Sequence, residues 1–446
     1  MNVIGKNIAV LGLARSGESV ARLLFSKGAR VTVLDSCESD SLAQRAKQLR
    51  DMGVSVITGS SASSTEIFDL VVVSPGIDLT SSFVRQFSDR HFPVTGELEV
   101  AWQFCKKPVI AITGTNGKTT TTELISKMLN SVGKRTVACG NIGLPFSEVV
   151  LQMQDSLDII TLEVSSFQLE TISTFQPHLA LWLNFSPDHL DRYPSIKEYR
   201  NAKLRIFNHQ SVDDYAICNS ADDLPDLVAE KISFNAYGNP ADFTVSHESI
   251  HFKGKKISSL DSFLLTGMHN VENIMAALAV GHVLGFEFSN LLPALQSYRP
   301  LPHRCELVTT IDGIRYINDS KSTNVDSLAK ALTMDKGKII LIAGGKDKGF
   351  DFKSIKDLVS EKVSSVILIG ETAERIRADW GCEVHCQIAI TLQDAIAQAH
   401  SLASAGETVL FSPGTSSFDM FRDYADRGEQ FRRAVINLAN SPSIQS

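Results

Sequence analysis

Short apolar runs alternate with segments of helical periodicity along most of the chain. The first four runs, at residues 8–11, 31–34, 54–57 and 70–73, each end in a turn or loop signal. Runs of this length are typical of buried strands, and their alternation with helices favours parallel sheets. We therefore predict an α/β fold whose first sheet, a nucleotide-binding sheet, ends near residues 93–96.

Two further series continue the pattern. The second includes runs at residues 109–112, 136–138, 159–162 and 179–183, and the third has runs at 338–342, 366–369 and 408–411. Two prolines one residue apart stop regular structure within residues 299–304, which predicts a hinge there. At 446 residues the chain is too long for one core. We predict three domains, at residues 1–95, 96–299 and 300–446.

Composition narrows the class of protein. The formal charge of −7 gives no general attraction to nucleic acid or to anionic membranes. No apolar run approaches the length of a bilayer span, and the first residues lack the pattern of a secretory signal. We expect a cytoplasmic monomer with no nucleic-acid partner and no membrane insertion.

The seven cysteines are scattered, which is typical of a reduced compartment and not of a disulfide framework. Cys382, His385 and Cys386 lie close in sequence, but they are too few ligands at an unusual spacing for zinc. We expect no zinc site there.

A glycine-rich loop follows the strand predicted at residues 109–112, and a helical pattern follows the loop. In such a loop, glycines let backbone N–H groups approach phosphate oxygens, Lys118 neutralises them, and the Thr119 hydroxyl can ligate Mg²⁺. The longer P-loop pattern has glycine where this chain has Ile112, so the loop is the shorter Gly-x-x-Gly-Lys-Thr form. The alternative is a plain glycine-rich turn, which the strand, lysine and helix together disfavour. The predicted phosphate-binding residues are Gly114, Thr115, Asn116, Gly117, Lys118, Thr119 and Thr120.

Three other groups have side chains that could serve chemistry. Glu163 follows a predicted strand, where a carboxylate ligand of nucleotide-bound Mg²⁺ is expected, because ligands gather at the carboxyl ends of parallel strands. His189 follows the next strand and, taken alone, is an ordinary surface histidine. Lys203 lies in an amphipathic helical pattern, where a lysine is by default a solvated charge.

The N-terminal turn has a rival interpretation. Residues 12–17 follow a strand, and Asp35 closes the next strand, as in a dinucleotide-binding fingerprint. That fingerprint requires glycine where this chain has Val10 and Arg15, and no region supplies a hydride-transfer site. An NAD(P)-dependent dehydrogenase is therefore the weaker hypothesis.

Taken together, the short loop and the motifs at residues 163–169, 188–193, 318–324, 344–349 and 412–419 resemble the Mur ligase family over the whole chain. This family comprises ATP-dependent amide-forming enzymes of peptidoglycan synthesis, and the short loop is its own form. The resemblance implies an N-terminal Rossmann-like domain for a UDP-sugar, a central P-loop ATPase-like domain, and a C-terminal Rossmann-like domain that binds the amino acid and closes on ATP. The chain lacks the Asp-Asn-Pro-Arg motif of the members that add a diamino acid. The implied substrates are UDP-N-acetylmuramoyl-L-alanine and D-glutamate.

The resemblance also implies the ATP and metal sites. Besides the loop, Asn270 and Asn273 would contact adenine, and Arg304 would contact the ATP phosphates. Asp319 would contact the ribose, and Lys321 would lie near the γ-phosphate. Two Mg²⁺ ions would be held by Thr119, Glu163, His189 and a carbamylated Lys203. Carbamylation turns a cation into an oxygen anion, which suits a hard metal ion.

The two substrates are assigned to the two ends of the chain. The UDP-sugar would meet Leu13, Ala14, Arg15 and Ser16 at its diphosphate, Asp35 and Ser36 at its uridine, Ser74, Pro75 and Gly76 at the nucleotide edge, and Asn141 and His189 nearer the reacting end. For any single one of these residues an ordinary turn remains a competing interpretation. D-glutamate would meet Thr323, Lys348, Ser417, Phe418 and Tyr424, since two carboxylates favour lysine, hydroxyl and backbone donors.

The implied reaction makes an acyl phosphate from ATP and traps it with an amine. Lys118, Glu163, His189 and Lys203 are the implied catalytic residues, and the acceptor of the amine proton stays open between His189 and His303. A sister ligase of the same family and a P-loop regulatory ATPase are the alternative hypotheses. The predicted metal ligands argue against a pure nucleotide sensor.

Overall fold

The computed structural model describes residues 1–59, 66–190, 192–299, 302–334 and 337–440. Within them, helices alternate with strands of three sheets, so the predicted α/β class is confirmed. Contact clustering gives two compact units, each described by itself. The first holds residues 1–185, 197–264 and 270–298, and the second holds residues 186–196, 265–269 and 299–446. The three domain boundaries stay a prediction, and Pro300 and Leu301 of the predicted hinge lie outside the described residues.

The first sheet has five parallel strands in the order β3-β2-β1-β4-β5. Its strands are β1 (Asn7–Leu11), β2 (Arg30–Asp35), β3 (Ser55–Thr58), β4 (Leu70–Val73) and β5 (Val94–Gly96). The helices of this region are α1 (Arg15–Ser26), α2 (Asp40–Asp51), α3 (Ser82–Ser88) and α4 (Glu97–Phe104). The predicted runs became strands because their apolar side chains are buried on both faces of the sheet, as in β1 and β4.

The second sheet also belongs to the first unit and has nine strands in the order β14-β13-β12-β11-β10-β9-β6-β8-β7. They are β6 (Val109–Thr113), β7 (Ala138–Gly140), β8 (Ile160–Glu163), β9 (Leu179–Trp182), β10 (Tyr215–Asn219), β11 (Glu230–Asn235), β12 (Phe243–Ser246), β13 (Ser249–Phe252) and β14 (Lys255–Ser259). The associated helices are α5 (Lys118–Ser131), α6 (Phe146–Gln152), α7 (Ser166–Leu169), α8 (Ile196–Leu204), α9 (Met268–Val283) and α10 (Phe288–Gln296). The last two pairings, β12 with β13 and β13 with β14, are antiparallel.

The third sheet lies in the second unit and has six strands in the order β15-β16-β20-β17-β18-β19. They are β15 (Glu306–Ile311), β16 (Ile314–Asn318), β17 (Ile339–Ala343), β18 (Val363–Leu368), β19 (His385–Ile388) and β20 (Thr408–Phe411). The helices are α11 (Val325–Met334), α12 (Lys356–Lys362), α13 (Ala373–Trp380), α14 (Leu392–Leu402) and α15 (Tyr424–Asn440). Among the strands described for this sheet, β15 pairs antiparallel with β16 and the other pairings are parallel.

Several strand predictions shift by one to three residues in the structure, and two of the shifts involve Glu163. The run predicted at residues 136–138 became β7, two residues later, because Gly140 pairs with Glu163. Glu163 itself is the last residue of β8 and does not follow the strand, since it pairs with Ile112 on the other side. Among the described helices, none is long and apolar enough to cross a membrane.

Candidate active site

The phosphate loop connects β6 to α5, as predicted. Gly114 and Gly117 have positive φ angles of 155° and 83°, which L side chains rarely adopt. A Cβ at position 117 would also lie 2.4 Å from the Asn273 side-chain oxygen. Both glycines are therefore required by the backbone path, and α5 begins at Lys118 with its N–H groups facing the loop.

Two lysines converge on one carbonyl of this loop. Lys118 Nζ donates to Gly114 O at 2.8 Å and to Thr115 O at 2.9 Å, and Lys203 Nζ donates to the same Gly114 O at 2.8 Å. Lys203 is 1% exposed, so it is not the solvated charge that its helical pattern alone suggested. Its Nζ lies 4.8 Å from the centre of the Tyr199 ring, whose hydroxyl is 3.3 Å from Thr115 Oγ1.

Glu163 lies at the carboxyl end of β8, beside β6, and is 2% exposed. Its Oε1 accepts a hydrogen bond from Asn141 Nδ2 at 2.8 Å. Its Oε2 is buried and has no hydrogen-bond partner among the described residues. An unpartnered buried carboxylate oxygen is costly unless a cation or donor meets it, so Glu163 fits a hard divalent cation.

The two asparagines predicted for adenine lie against the loop helix. Asn273 Oδ1 accepts from Thr121 Oγ1 at 3.1 Å, and Asn273 Nδ2 donates to Asn270 Oδ1 at 3.1 Å. Asn184, which the sequence analysis did not single out, holds the loop from the other side. Its side chain accepts from Asn116 N at 2.9 Å and donates to Asn116 O at 3.1 Å. Its position directly after a predicted strand was the signal that could have found it.

All but two of the residues predicted for the UDP-sugar line one cavity of about 700 Å³ within the first unit; the exceptions are Leu13 and His189, and His189 falls in the second unit. Its lining includes Ala14, Arg15, Ser16, Asp35, Ser36, Ser74, Pro75, Gly76 and Asn141. The predicted Leu13 is absent from that lining, because its side chain is fully buried in the core of the first sheet. Its backbone N–H instead donates to Asp35 Oδ2 at 2.7 Å, which fixes the turn.

In the second unit, two loops follow the neighbouring strands β16 and β20. Asp319 Oδ2 accepts from Ser412 Oγ at 2.8 Å, and Asp319 Oδ1 accepts from Cys305 N at 3.2 Å. Burial raises the pKa of the Asp319 carboxyl to about 6, against the opposing effect of these hydrogen bonds. Arg304, predicted for the ATP phosphates, is half-buried nearby in sequence.

Arg427 of α15 joins these two loops, and the sequence analysis missed it. It is fully buried and donates to Ser320 O at 2.8 Å, Thr415 O at 3.1 Å and Ser416 O at 3.2 Å. Its Nε donates to Ser320 Oγ at 3.0 Å. Burial lowers the pKa of Arg427 to about 9, which still leaves the guanidinium charged at neutral pH. No local sequence signal marks a surface-type residue as buried.

Residues predicted for D-glutamate gather in the same unit. Lys348 Nζ is 3.6 Å from Asp188 Oδ1, and Asn324 Nδ2 donates to Asp188 Oδ2 at 3.1 Å. Burial raises the pKa of Asp188, but the charges of His189 and Lys348 and the hydrogen bond from Asn324 outweigh it, so the pKa lies below its ordinary value. Asp188 is therefore an anion that already holds the predicted Lys348.

The other predicted contacts differ in exposure. Lys321 Nζ stands 3.6 Å from the centre of the Tyr424 ring, a cation–π distance. Ser417 is buried, Phe418 is 67% exposed, and Thr323 is half-buried. The structure thus places these residues in one unit with Lys348.

The histidines left open as proton acceptors have different surroundings. His303 is buried, its Nδ1 is 2.9 Å from Asn318 Nδ2, and burial lowers its pKa. His189 has a left-handed φ of 56°, and its backbone N–H donates to Asp188 Oδ1 at 2.8 Å. His189 falls in the second unit, whereas Thr119, Glu163 and Lys203 fall in the first. Across the described residues, no group of three or more His, Cys, Asp and Glu is arranged to hold a metal.

The fold and the loop define a class: an α/β protein with a P-loop in its central sheet and a separate cavity at the carboxyl ends of its first sheet. Family models match residues 6–96 (Mur ligase MurD-like, N-terminal domain), 112–281 (Mur ligase middle domain) and 303–414 (Mur ligase, glutamate ligase domain). The chain belongs to the Mur ligase family.

Relatives match along nearly the whole chain. A UDP-N-acetylmuramoylalanine–D-glutamate ligase from Geotalea daltonii is 44% identical, over 98% of this chain and 99% of the relative. A protein of the same name from Geobacter metallireducens is 41% identical, over 98% and 99%. The solved structure of UDP-N-acetylmuramate-alanine ligase from Thermotoga maritima shares the fold, with a TM-score of 0.62 at 18% identity over 97% of this chain and 100% of that one.

Proposed function

We propose that this chain is an ATP-dependent ligase that joins UDP-N-acetylmuramoyl-L-alanine to D-glutamate through an amide bond, releasing ADP and phosphate. The observation that carries the proposal is the similarity to proteins named as this ligase, at 37–44% identity over at least 97% of the chain. The setting is peptidoglycan precursor synthesis in the cytoplasm, and the enzyme acts as a monomer.

The three-domain division belongs to the same proposal. Residues 1–95 bind the UDP-sugar, residues 96–299 bind ATP, and residues 300–446 bind the amino acid and close over ATP. The matched family ranges support this order: the middle and C-terminal ranges lie inside their proposed domains, and the N-terminal range, residues 6–96, ends one residue past the first proposed boundary.

The first chemical step brings two anions together, because the alanyl carboxylate attacks the γ-phosphate of ATP. An acyl phosphate forms, the bond between the γ-phosphorus and the bridging oxygen breaks, and ADP leaves. Its barrier is mainly electrostatic, so fixed donors and cations are what the chain must supply. The N–H groups at the start of α5 receive the phosphates, and Lys118 leaves its two loop carbonyls to meet them. Arg304, Asp319 and Lys321 contact ATP from the C-terminal domain, and Asn270 and Asn273 contact adenine.

Mg²⁺ ions, when bound, neutralise the phosphates and the developing charge. Thr119, Glu163, His189 and a carbamylated Lys203 would hold them, and the unpartnered Glu163 Oε2 supports this assignment. Buried Lys203 supports it as well, since its Nζ lies beside the phosphate loop, 2.8 Å from Gly114 O.

In the second step, the amine of D-glutamate attacks the acyl carbonyl and phosphate departs from the tetrahedral intermediate. Lys348, Thr323, Ser417, the Phe418 backbone and Tyr424 orient the two carboxylates of D-glutamate. Closure of the third domain excludes water from the acyl phosphate.

The test is phosphate release from ATP in the presence of UDP-N-acetylmuramoyl-L-alanine and, separately, D-glutamate, L-glutamate, L-lysine and diaminopimelate. Of the four amino acids, we expect only D-glutamate to support turnover. The product should be heavier than UDP-N-acetylmuramoyl-L-alanine by one glutamyl residue in mass spectrometry. Turnover with lysine or diaminopimelate would favour a sister ligase. Phosphate release without any amide product would favour a regulatory ATPase.

A further inference from the structure

Helix α4 begins directly after β5, the last strand of the first sheet, and its first turn contains two buried carboxylates. Glu97 is 1% exposed and Glu99 is 4% exposed. Both accept hydrogen bonds from backbone segments that belong to the neighbourhood of the second sheet. The helix therefore joins the region proposed to bind the UDP-sugar to the region proposed to bind ATP.

Glu97 meets the start of α6. Its Oε1 accepts from Ser147 N at 2.7 Å, one of the N–H groups that the first turn of a helix leaves without an internal partner. The residue that precedes α6, Pro145, lines the 700 Å³ cavity, as does Asn141 in the same loop. The Glu97 carboxylate thus anchors the helix on which one wall of the cavity depends.

Ser147 also reaches the opposite wall. Its hydroxyl donates to Ser19 Oγ at 2.8 Å, and all three side chains of the series Glu97, Ser147 and Ser19 are buried. Ser19 lies one turn into α1, whose first residues, Arg15 and Ser16, line the cavity. One hydrogen-bonded series therefore ties the two helices whose N-terminal ends form the two sides of the cavity.

The two carboxylates of α4 differ in how fully they are bonded. Burial raises the pKa of Glu99, but hydrogen bonds from Thr174, Ser173 and Gln103 outweigh it and hold the pKa below its ordinary value. Burial raises the pKa of Glu97 with only the hydrogen bonds of Ser147 against it, and Glu97 Oε2 has no partner among the described residues. The hydrogen bonds of Glu99 stabilise the fold, which is enough to explain that residue. The buried and only partly hydrogen-bonded Glu97 destabilises the fold, so we expect a functional role that offsets this.

We propose that Glu97 is a positioning residue for the sugar-nucleotide substrate, which fixes the spacing of the two cavity walls through Ser147 and Ser19. This inference rests on the proposed function. A substrate that spans both walls gains from their being fixed beforehand, because it does not have to order them on binding. In the proposed assignment, UDP without the sugar contacts one wall of the cavity, formed by residues 13–16, 35–36 and 74–76.

The experiment compares the wild-type chain with Glu97→Gln and Ser19→Ala in binding to UDP and to UDP-N-acetylmuramoyl-L-alanine by calorimetry. For Glu97→Gln we expect the dissociation constant of the full substrate to rise about tenfold, since the buried hydrogen bond that joins Glu97 to the start of α6 is weakened, while that of UDP stays within about twofold. Ser19→Ala, which removes one buried hydroxyl, is expected to give a smaller change in the same direction. In turnover assays, the KM for the sugar nucleotide rises while kcat and the KM for ATP are kept.

Thr136→Val is the matched control, because it also removes a buried hydrogen bond of the first unit, the 2.9 Å contact between Thr136 and Thr161, outside the cavity lining. It should leave both dissociation constants unchanged. Equal weakening of UDP and full substrate in the Glu97 and Ser19 variants, or no weakening in either, overturns the inference. If the wild-type chain binds no UDP-N-acetylmuramoyl-L-alanine, the proposed function itself fails. Should Glu97→Gln not fold, Ser19→Ala alone decides the inference.

Discussion

The phosphate loop of the first unit and the paired loops of the second unit are both held by cations that donate to backbone carbonyls, yet the cations differ. Lys203 and Arg427 are buried, and Lys118 is half-buried. Lys118 and Lys203 share Gly114 O, and each lysine is a point charge on a flexible stem. Arg427 spreads its donors over Ser320, Thr415 and Ser416 in a rigid planar fork. A lysine can exchange a carbonyl for a phosphate or become a carbamate, whereas the arginine can only hold the loops in place. We infer that Lys118 and Lys203 take part in the chemistry, whereas Arg427 stabilises the conformation of the two loops.

The largest expected effect separates the two roles. Lys118→Ala should lower kcat about 10³-fold, because a preorganised cation near the transferred phosphate is removed. The free energy of unfolding should fall by no more than about 1–2 kcal/mol, since Gly114 O keeps the bond from Lys203 while Thr115 O loses the bond from Lys118. Steady-state phosphate release and thermal unfolding measure the two quantities. A variant that loses stability in proportion to activity would place Lys118 with Arg427 as a structural cation.

Arg427→Met should act in the opposite way. It removes the Arg427 donor from the buried Ser320 and Thr415 carbonyls, while Ser416 O keeps the bond from Lys346 N, so the free energy of unfolding should fall by about 3–5 kcal/mol. Denaturant unfolding followed by hydrogen exchange should localise the loss to the segments around residues 318–324 and 412–419. Arg135→Ala, which breaks the exposed ion pair with Asp158, is the control and should leave stability nearly unchanged. Wild-type stability in Arg427→Met would remove the structural role.

The carboxyl group between the paired loops gives a pH test. The pKa of Asp319 is about 6 in the folded chain and 3.8 in its ordinary range, so the folded state binds the proton more tightly. The contribution of protonated Asp319 to the stability of the folded state is fully present below about pH 4 and is lost as the pH rises through 6. Between pH 4 and pH 7, the free energy of unfolding of the wild type should therefore fall by about 3 kcal/mol relative to that of Asp319→Asn. Unfolding curves of both proteins across this range measure it, and a constant difference would contradict the prediction.

The smallest of these effects concerns Lys203. We expect Lys203→Ala to lower kcat about 100-fold and to recover part of it with millimolar acetate or propionate, since a small carboxylate can occupy the place of the carbamate. Lys203→Arg keeps the charge and fills the space, so no recovery is expected. Carboxylate rescue of Lys118→Ala to the same extent would show that the two lysines of the loop are not distinct. Full activity in plain Lys203→Ala would remove it from the metal site.

Much of the fold followed from local sequence, because parallel strands buried on both faces show as short continuous apolar runs. The runs at residues 70–73 and 408–411 match β4 and β20 residue for residue. The antiparallel strands β12 to β14 were not predicted, since polar residues interrupt each of them and none shows a continuous apolar run. Lys203 showed the limit of helical patterns: a polar-face position proved buried because the phosphate loop covers it.

By itself the sequence determined the strand, loop and helix around Gly114–Thr120, since glycine conformations, the lysine and the helix start are local properties. It also determined which residues stand at strand ends, which is why Glu163, Asp35 and Ser74 were found. Only the tertiary structure decided which distant groups satisfy one another. Arg427 meets Ser320 across 107 positions, and Ser147 meets Ser19 across 128. Such contacts are made because buried polar groups must find partners, and the chain's path through the core, not the spacing of residues along it, brings those partners together.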